Sequence, residues 1–329
     1  MSDAIQPSPV RSRILWIVKL VVTAGLGWFL FTHADWAAIG ITLAGIPPGV
    51  ILGAFALMLL SVAISAYKWQ IVLKLHGLHF SFMKLQRYYF TAMFFSNFLP
   101  TSIGGDVYRV YKTFGDRRSI SSPVIAVFVE RLTGIIALLV LGYFYSFTVY
   151  HAQGDVISGT VRTVGTVGIV LTVVAALLFV CLQGYRRLKR WQNKPRLLRI
   201  LLEHGKDYIR QPVGSAYVML ISFWFQAHNC LLFYLLLRYG VGVEISVAEL
   251  FVVLTLVTLV GVLPISINGI GVVDTAFVVL LGVYGVGSDL ALSVMLICRV
   301  LLILVSAIGA GFYLSERTDP ANQVQSPGS

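Results

Sequence analysis

Six charged residues stand where charge is costly. Glu130 and Arg131 lie about two helical turns into an apolar run that starts near Pro123, and Arg299 lies about two turns into another run near the C-terminus. Asp106 and Arg109 follow the break Pro100, Gly104, Gly105 and, one helical turn apart, share a face if that segment is helical. Asp274 follows a second break, containing Pro264, Asn268, Gly269 and Gly271. Ionised side chains at membrane depth are expensive and mark substrate paths or pair with one another. Arginine suits a phosphate, because its planar fork donates two parallel hydrogen bonds. Arg131 and Arg299 are therefore read as substrate-contacting, with Arg109, Asp106, Glu130 and Asp274 in the same site or as counter-ions. Mutual neutralisation of buried arginines and carboxylates explains the same residues, and both readings stand at this point.

Catalysis finds no support. There is no GxSxG elbow, HExxH pair, phosphate-binding loop or GxGxxG-after-strand pattern. His33, His76, His79, His151, His204 and His228 are scattered without metal-ligand spacing. Cys181, Cys230 and Cys298 sit in apolar segments, as packing residues with free thiols. The expectation is a protein that is not an enzyme and holds no metal and no cofactor.

The elements that position these groups follow from composition. Of 329 residues, 57% are hydrophobic and 12% charged, about half the roughly 25% of charged residues in a soluble domain. Runs of about 20 apolar residues cross a bilayer. Six are expected to cross, at 14–31, 50–66, 123–150, 161–182, 215–237 and 290–314. Two shorter apolar stretches, 88–99 and 248–263, stop at Pro100 and Pro264 and read as re-entrant or broken helices. Broken backbone at membrane depth survives only where protein or a polar cavity satisfies it. The fold expected is an all-α polytopic membrane protein, with one domain over 14–314, an N-terminal tail over 1–13 and a disordered tail over 315–329. The first apolar run lacks a small-residue cleavage site and reads as a retained anchor.

The net charge is +11, and the basic residues crowd beside apolar runs, which leaves no basic soluble module for nucleic acid. The segment from Arg186 to Arg210 is the most basic. By the positive-inside rule it faces the cytoplasm, and six crossings then put both termini there, in a cell inner membrane. Residues 67–87 mix Lys68, Lys74, Lys84 and Arg87 with Trp69, Phe80 and Phe82. They read either as an interfacial amphipathic segment or as an extension of the second helix.

Leu99-Pro100-Thr101-Ser102-Ile103-Gly104-Gly105 is similar to Leu263-Pro264-Ile265-Ser266-Ile267-Asn268-Gly269. Each copy follows an apolar half-helix and precedes an arginine-bearing one. The topology count sets the two copies, about 88–150 and 248–314, in opposite directions. Inverted repeats with broken helices are an architecture of transporters, and half-helix N-termini offer free N–H groups to an anion.

The run from Tyr88 through Gly134, with Asn97-Phe98-Leu99-Pro100, Gly104-Gly105-Asp106, Arg109 and Glu130-Arg131, resembles the membrane region of the lysylphosphatidylglycerol synthase/flippase family. Pro264 to Asp274 and Arg299 are similar to its second signature, which departs here in carrying Ile267-Asn268 where Pro-Gly is commoner and Asp274 where Glu is. The resemblance spans 14–314 and implies a lipid-translocating domain, without the aminoacyl-transferase domain of bifunctional members. Two readings of function follow. The first is a flippase whose partners are membrane lipids, moving a phospholipid or lipid-linked molecule between leaflets. The second is a non-transporting membrane partner of a lipid-modifying or envelope-glycan enzyme.

Overall fold

The computed structural model describes residues 9–98, 104–114, 120–153, 205–263 and 265–318, with isolated positions between 159 and 166. The crossing expected at 161–182 and most of the basic 186–210 segment lie outside the described residues, as do Pro100 and Pro264. Among the described residues every regular element is a helix. They are α1 (Pro9–His33), α2 (Trp36–Gly45), α3 (Pro48–Leu75), α4 (Phe82–Phe98), α5 (Gly104–Phe114), α6 (Ser121–Gln153), α7 (Pro212–Leu235), α8 (Val247–Val262), α9 (Val272–Val283) and α10 (Ser288–Thr318). A π-helical turn, Leu236–Gly240, prolongs α7.

Four of these are long and apolar enough to cross a membrane: Pro48–Leu75, Ser121–Val149, Pro212–Gly240 and Ser288–Glu316. Their outer faces are apolar, with Leu52, Leu220, Trp224, Val300 and Ile303 exposed. Such surfaces suit hydrocarbon and not water. The chain is a membrane protein, helical in every regular element among the described residues.

Local chemistry sets where helices begin. Pro48 and Pro212 stand in the first turns of α3 and α7, where a missing N–H costs nothing. Ser246 and Glu249 form a reciprocal capping box on α8, the Ser246 hydroxyl accepting from the Glu249 N–H at 3.2 Å and the Glu249 carboxylate from the Ser246 N–H at 2.8 Å. Asp35 caps α2 by accepting from the N–H groups of Ala37 and Ala38, both at 3.0 Å. This helix was not foreseen, because its ten residues fall short of a crossing and Pro47-Pro48 follow at once.

Of the two readings of residues 67–87, the extension of the second helix, here α3, holds as far as Leu75, and Lys68, Trp69 and Gln70 are buried inside the protein. One boundary differs from the sequence reading. Helix α10 continues to Thr318, held where Glu316 accepts from Lys112 Nζ at 2.6 Å and from Tyr108 at 3.3 Å.

The order long helix, short helix, break, short helix, long helix occurs twice, as α3–α6 and as α7–α10. Within each set the second short helix packs on its own following long helix, α5 on α6 and α9 on α10. The first short helix packs on the long helix of the other set, α4 on α10 and α8 on α6. Both crossings are close. A Cβ on Gly309 of α10 would collide with the Phe90 carbonyl of α4, and a Cβ on Gly142 of α6 with the Thr255 side chain of α8. Thr91, beside Phe90, is buried and stands as far before Pro100 as Thr255 does before Pro264. Small residues at crossings are how membrane helices gain packing energy, since lipid tails are as apolar as side chains.

Candidate functional site

Each break is followed by a carboxylate on the short return helix and an arginine on the next long helix. In the second set, Asp274 of α9 and Arg299 of α10 are 25 residues apart and pair through two guanidinium nitrogens, with Nη2 to Oδ2 at 3.1 Å and Nε to Oδ1 at 3.2 Å. Asp106 of α5 and Arg131 of α6, with the same separation, pair at 2.6 Å. The sequence motif located the charges; the fold shows that they meet in corresponding pairs.

The second break is built from left-handed backbone. Asn268, Gly269 and Gly271 have φ of 50°, 71° and 79°, a region that glycine and asparagine enter readily. The turn brings the Gly271 N–H onto the Asp274 carboxylate at 2.9 Å and the Asn268 carbonyl within 3.4 Å of Arg299 Nη1. Helix α1 seals its outer side, where Thr23 Oγ1 accepts from the Ile267 N–H at 3.0 Å. In the first set, Gly104 and Gly105 open α5, and a Cβ on Gly105 would run into Ser96 and the Ala92 carbonyl of α4. The α4–α5 hairpin therefore folds back with its backbones in contact.

The second break meets the end of α4. Asn268 Nδ2 donates to Asn97 Oδ1 at the end of α4, at 2.9 Å. The Asn97 Nδ2 beside it is buried with no hydrogen-bond partner among the described residues. Next to this seam lies a cavity of about 400 Å³. Arg299, Asn268, Asn229, Ser61 and Ser65 supply polar groups to a wall otherwise made of residues such as Met58, Met93, Phe225 and Met295.

Arg299 is thus on the cavity, while Arg131 is not among its lining residues. The Arg131 side chain is 57% exposed, beside Asp106. The two regions are joined through Tyr89, which lines the cavity and donates its hydroxyl to Glu130 Oε1 at 3.2 Å. Glu130 is also ion-paired to Arg109, and both are buried. The Arg109 guanidinium lies in the corner formed by the rings of Trp69 and Tyr89, 4.2 and 4.4 Å from their centres, the rings meeting edge to face at 70°. Stacking of this kind stabilises a desolvated guanidinium. Lys68 completes the group, its Nζ donating to the Glu130 carbonyl at 2.9 Å.

Lys68, Trp69, Tyr89 and Asn97 escaped the sequence reading as site residues. A Lys-Trp pair just after an apolar run resembles an interfacial anchor, and only the length of α3 carries it inward. Among the described residues no group of three or more His, Cys, Asp or Glu could hold a metal ion.

The family model described as the lysylphosphatidylglycerol synthase TM region matches residues 16–309. The chain belongs to this family. The match spans both breaks and both carboxylate–arginine pairs. No curated protein matches the chain. The family assignment places this TM region among membrane proteins of lipid handling.

Proposed function

We propose that the protein moves an anionic phospholipid or lipid-linked molecule between the leaflets of a cell inner membrane, and that Arg299 receives the phosphate. The observation that carries this is the contact of the second break, at Asn268, with the end of α4, at Asn97, beside a cavity whose wall holds a guanidinium. A phosphate cannot cross hydrocarbon bare. Arg299 already holds a planar carboxylate in a forked geometry, and a phosphate offers the same pair of acceptor oxygens. Substrate would compete with Asp274 for Arg299. In the inverted-repeat reading, with both termini cytoplasmic, Asp106 and Arg131 present the equivalent pair toward the opposite leaflet, and alternation passes the head group from one arginine to the other.

Burial of the ion pairs also favours a second reading, a non-transporting partner of a lipid-modifying enzyme in which Arg299 only neutralises Asp274. The test is leaflet transfer of a fluorescent phosphatidylglycerol in proteoliposomes of purified protein, with folding checked by thermal melting. Arg299→Lys is expected to slow transfer about tenfold or more, because lysine loses the fork and a charge-assisted bond is worth about 1.5–3 kcal/mol. Normal transfer by a folded Asp274→Asn, Arg299→Gln double variant would eliminate the phosphate role for Arg299.

A further inference from the structure

The charges around Glu130 do not balance. Lys68, Arg109 and Arg131 face Asp106 and Glu130, three cations against two carboxylates, and all but Arg131 and Asp106 are nearly sealed from solvent. An uncompensated buried charge is costly. Arg109 pairs with Glu130 and, at 3.6 Å, with Asp106, and Arg131 pairs with Asp106; guanidinium does not give up its proton in a protein. Among the described residues Lys68 is the cation of the cluster that ion-pairs with neither carboxylate.

The hydrogen bonds around Lys68 point the same way. An ammonium has three protons to donate. Among the described residues Lys68 Nζ makes one hydrogen bond, to the Glu130 main-chain carbonyl, and has no carboxylate in ion-pair reach. Its other neighbours include the Phe225 ring, 5.8 Å away, and Gly134, where a Cβ would stand 3.5 Å from Nζ and 3.8 Å from the Gln226 amide nitrogen, itself bonded to the Gly134 carbonyl. One donated bond suits a neutral amine. The charged groups that act on it are Glu130 on α6 and Arg109 on α5, and around these stand Arg131, Asp106 and the Tyr89 hydroxyl.

We propose that Lys68 is a proton-binding site, an amine in this conformation that becomes an ammonium when it takes a proton from the cavity side. The approach is short: Ser65, one turn earlier on α3, and Phe225 both line the cavity. Proton uptake converts –NH2 to –NH3+ with no other bond changed; it adds one N–H donor and removes the lone pair, which leaves two N–H groups beyond the bond to the Glu130 carbonyl to be satisfied in a dry site. The Glu130 carboxylate, on the residue whose carbonyl Lys68 already bonds, has one oxygen held by Arg109 and the other by the Tyr89 hydroxyl. Drawing that second oxygen toward Lys68 releases Tyr89, a wall of the cavity. Proton binding is thereby coupled to cavity shape, and a pH difference across the membrane can drive movement of its contents. The coupling rests on the transport reading above; the proton site does not.

Nitrogen-15 NMR of lysine-labelled protein in lipid bilayers tests the site directly, since amine and ammonium nitrogens resonate apart. One lysine signal at the amine position near pH 8 is expected, absent in Lys68→Met and moving to the ammonium position on acidification. If Lys68→Met does not fold, Lys68→Arg removes the same signal while retaining a donor to the Glu130 carbonyl. Ammonium signals alone between about pH 6 and pH 9 would overturn the proposal and indicate an anion held in the cluster. In proteoliposomes, a pH gradient is expected to change the rate of fluorescent phosphatidylglycerol transfer by wild-type protein severalfold and that by Lys68→Met not at all. Gradient-independent wild-type transfer would overturn the coupling. An amine signal together with no lipid transfer would keep the proton site and remove the transport reading.

Discussion

The α3–α6 and α7–α10 sets carry the same carboxylate–arginine pair but surround it with opposite chemistry. Counted from Asp106–Arg131 and Asp274–Arg299, Arg109 and Glu130 fall where Phe277 and Cys298 fall. Counted from Pro48 and Pro212, Lys68 and Trp69 fall where Leu232 and Phe233 fall. The geometry agrees with the count. Arg109 stacks on Trp69 in one set, and the Phe277 ring lies 5.3 Å from Phe233 in the other. Leu232, Phe233 and Cys298 line the cavity, whereas Lys68, Trp69, Arg109 and Glu130 do not. One scaffold has thus been used for two tasks. In the first set the extra charges hold α3, α5 and α6 together; in the second their apolar replacements leave the wall of a space.

The largest effect is expected from breaking the first set and then recasting it as the second. Arg109→Phe leaves Glu130 buried without its guanidinium and should cost about 3–5 kcal/mol, enough to remove most folded protein. Adding Glu130→Cys removes the stranded carboxylate and should recover more than half of that loss, because an apolar pair of similar volume tolerates burial. Thermal melting in detergent, with the fraction of monodisperse protein, measures both. Equal destabilisation by the single and double variants would show that the charges are not the reason for the pairing.

The two helix crossings sharpen the comparison at a smaller scale. Gly309→Ala would press a methyl into the Phe90 carbonyl, which is backbone, so α4 and α10 must separate. A loss of about 1–3 kcal/mol is expected. Gly142→Ala meets only the Thr255 side chain, and Thr255→Ala should restore most of its smaller loss. Melting of the three variants, and of the Gly142→Ala, Thr255→Ala pair, checks the order.

The smallest effects concern the seam between the second break and the end of α4. Asn268→Gly keeps the left-handed conformation and loses the hydrogen bond to Asn97, for about 1 kcal/mol. Asn268→Ala adds the strain of a Cβ at positive φ, about 1–2 kcal/mol more. If both lose equally, the backbone at this position is not what asparagine is there to satisfy.

The sequence by itself determined the membrane class, the family, the two breaks and the charged residues worth following. These are local signals: apolar length, a proline with glycines after it, a charge inside an apolar run. It could not decide how those charges pair. Asp274 and Arg299 are 25 residues apart, and only the return of α9 along α10 brings them together. Nor could it tell that Arg109 is sealed while its neighbour Arg131 is half exposed, since both are arginines beside carboxylates. Lys68 shows the limit most clearly. A lysine next to a tryptophan after an apolar run has the same local pattern whether it ends a crossing at the interface or continues inward. Its depth depends on where α3 stops and on what α5 and α6 place around it. Burial and charge balance are properties of several helices at once, so the tertiary structure alone settles them.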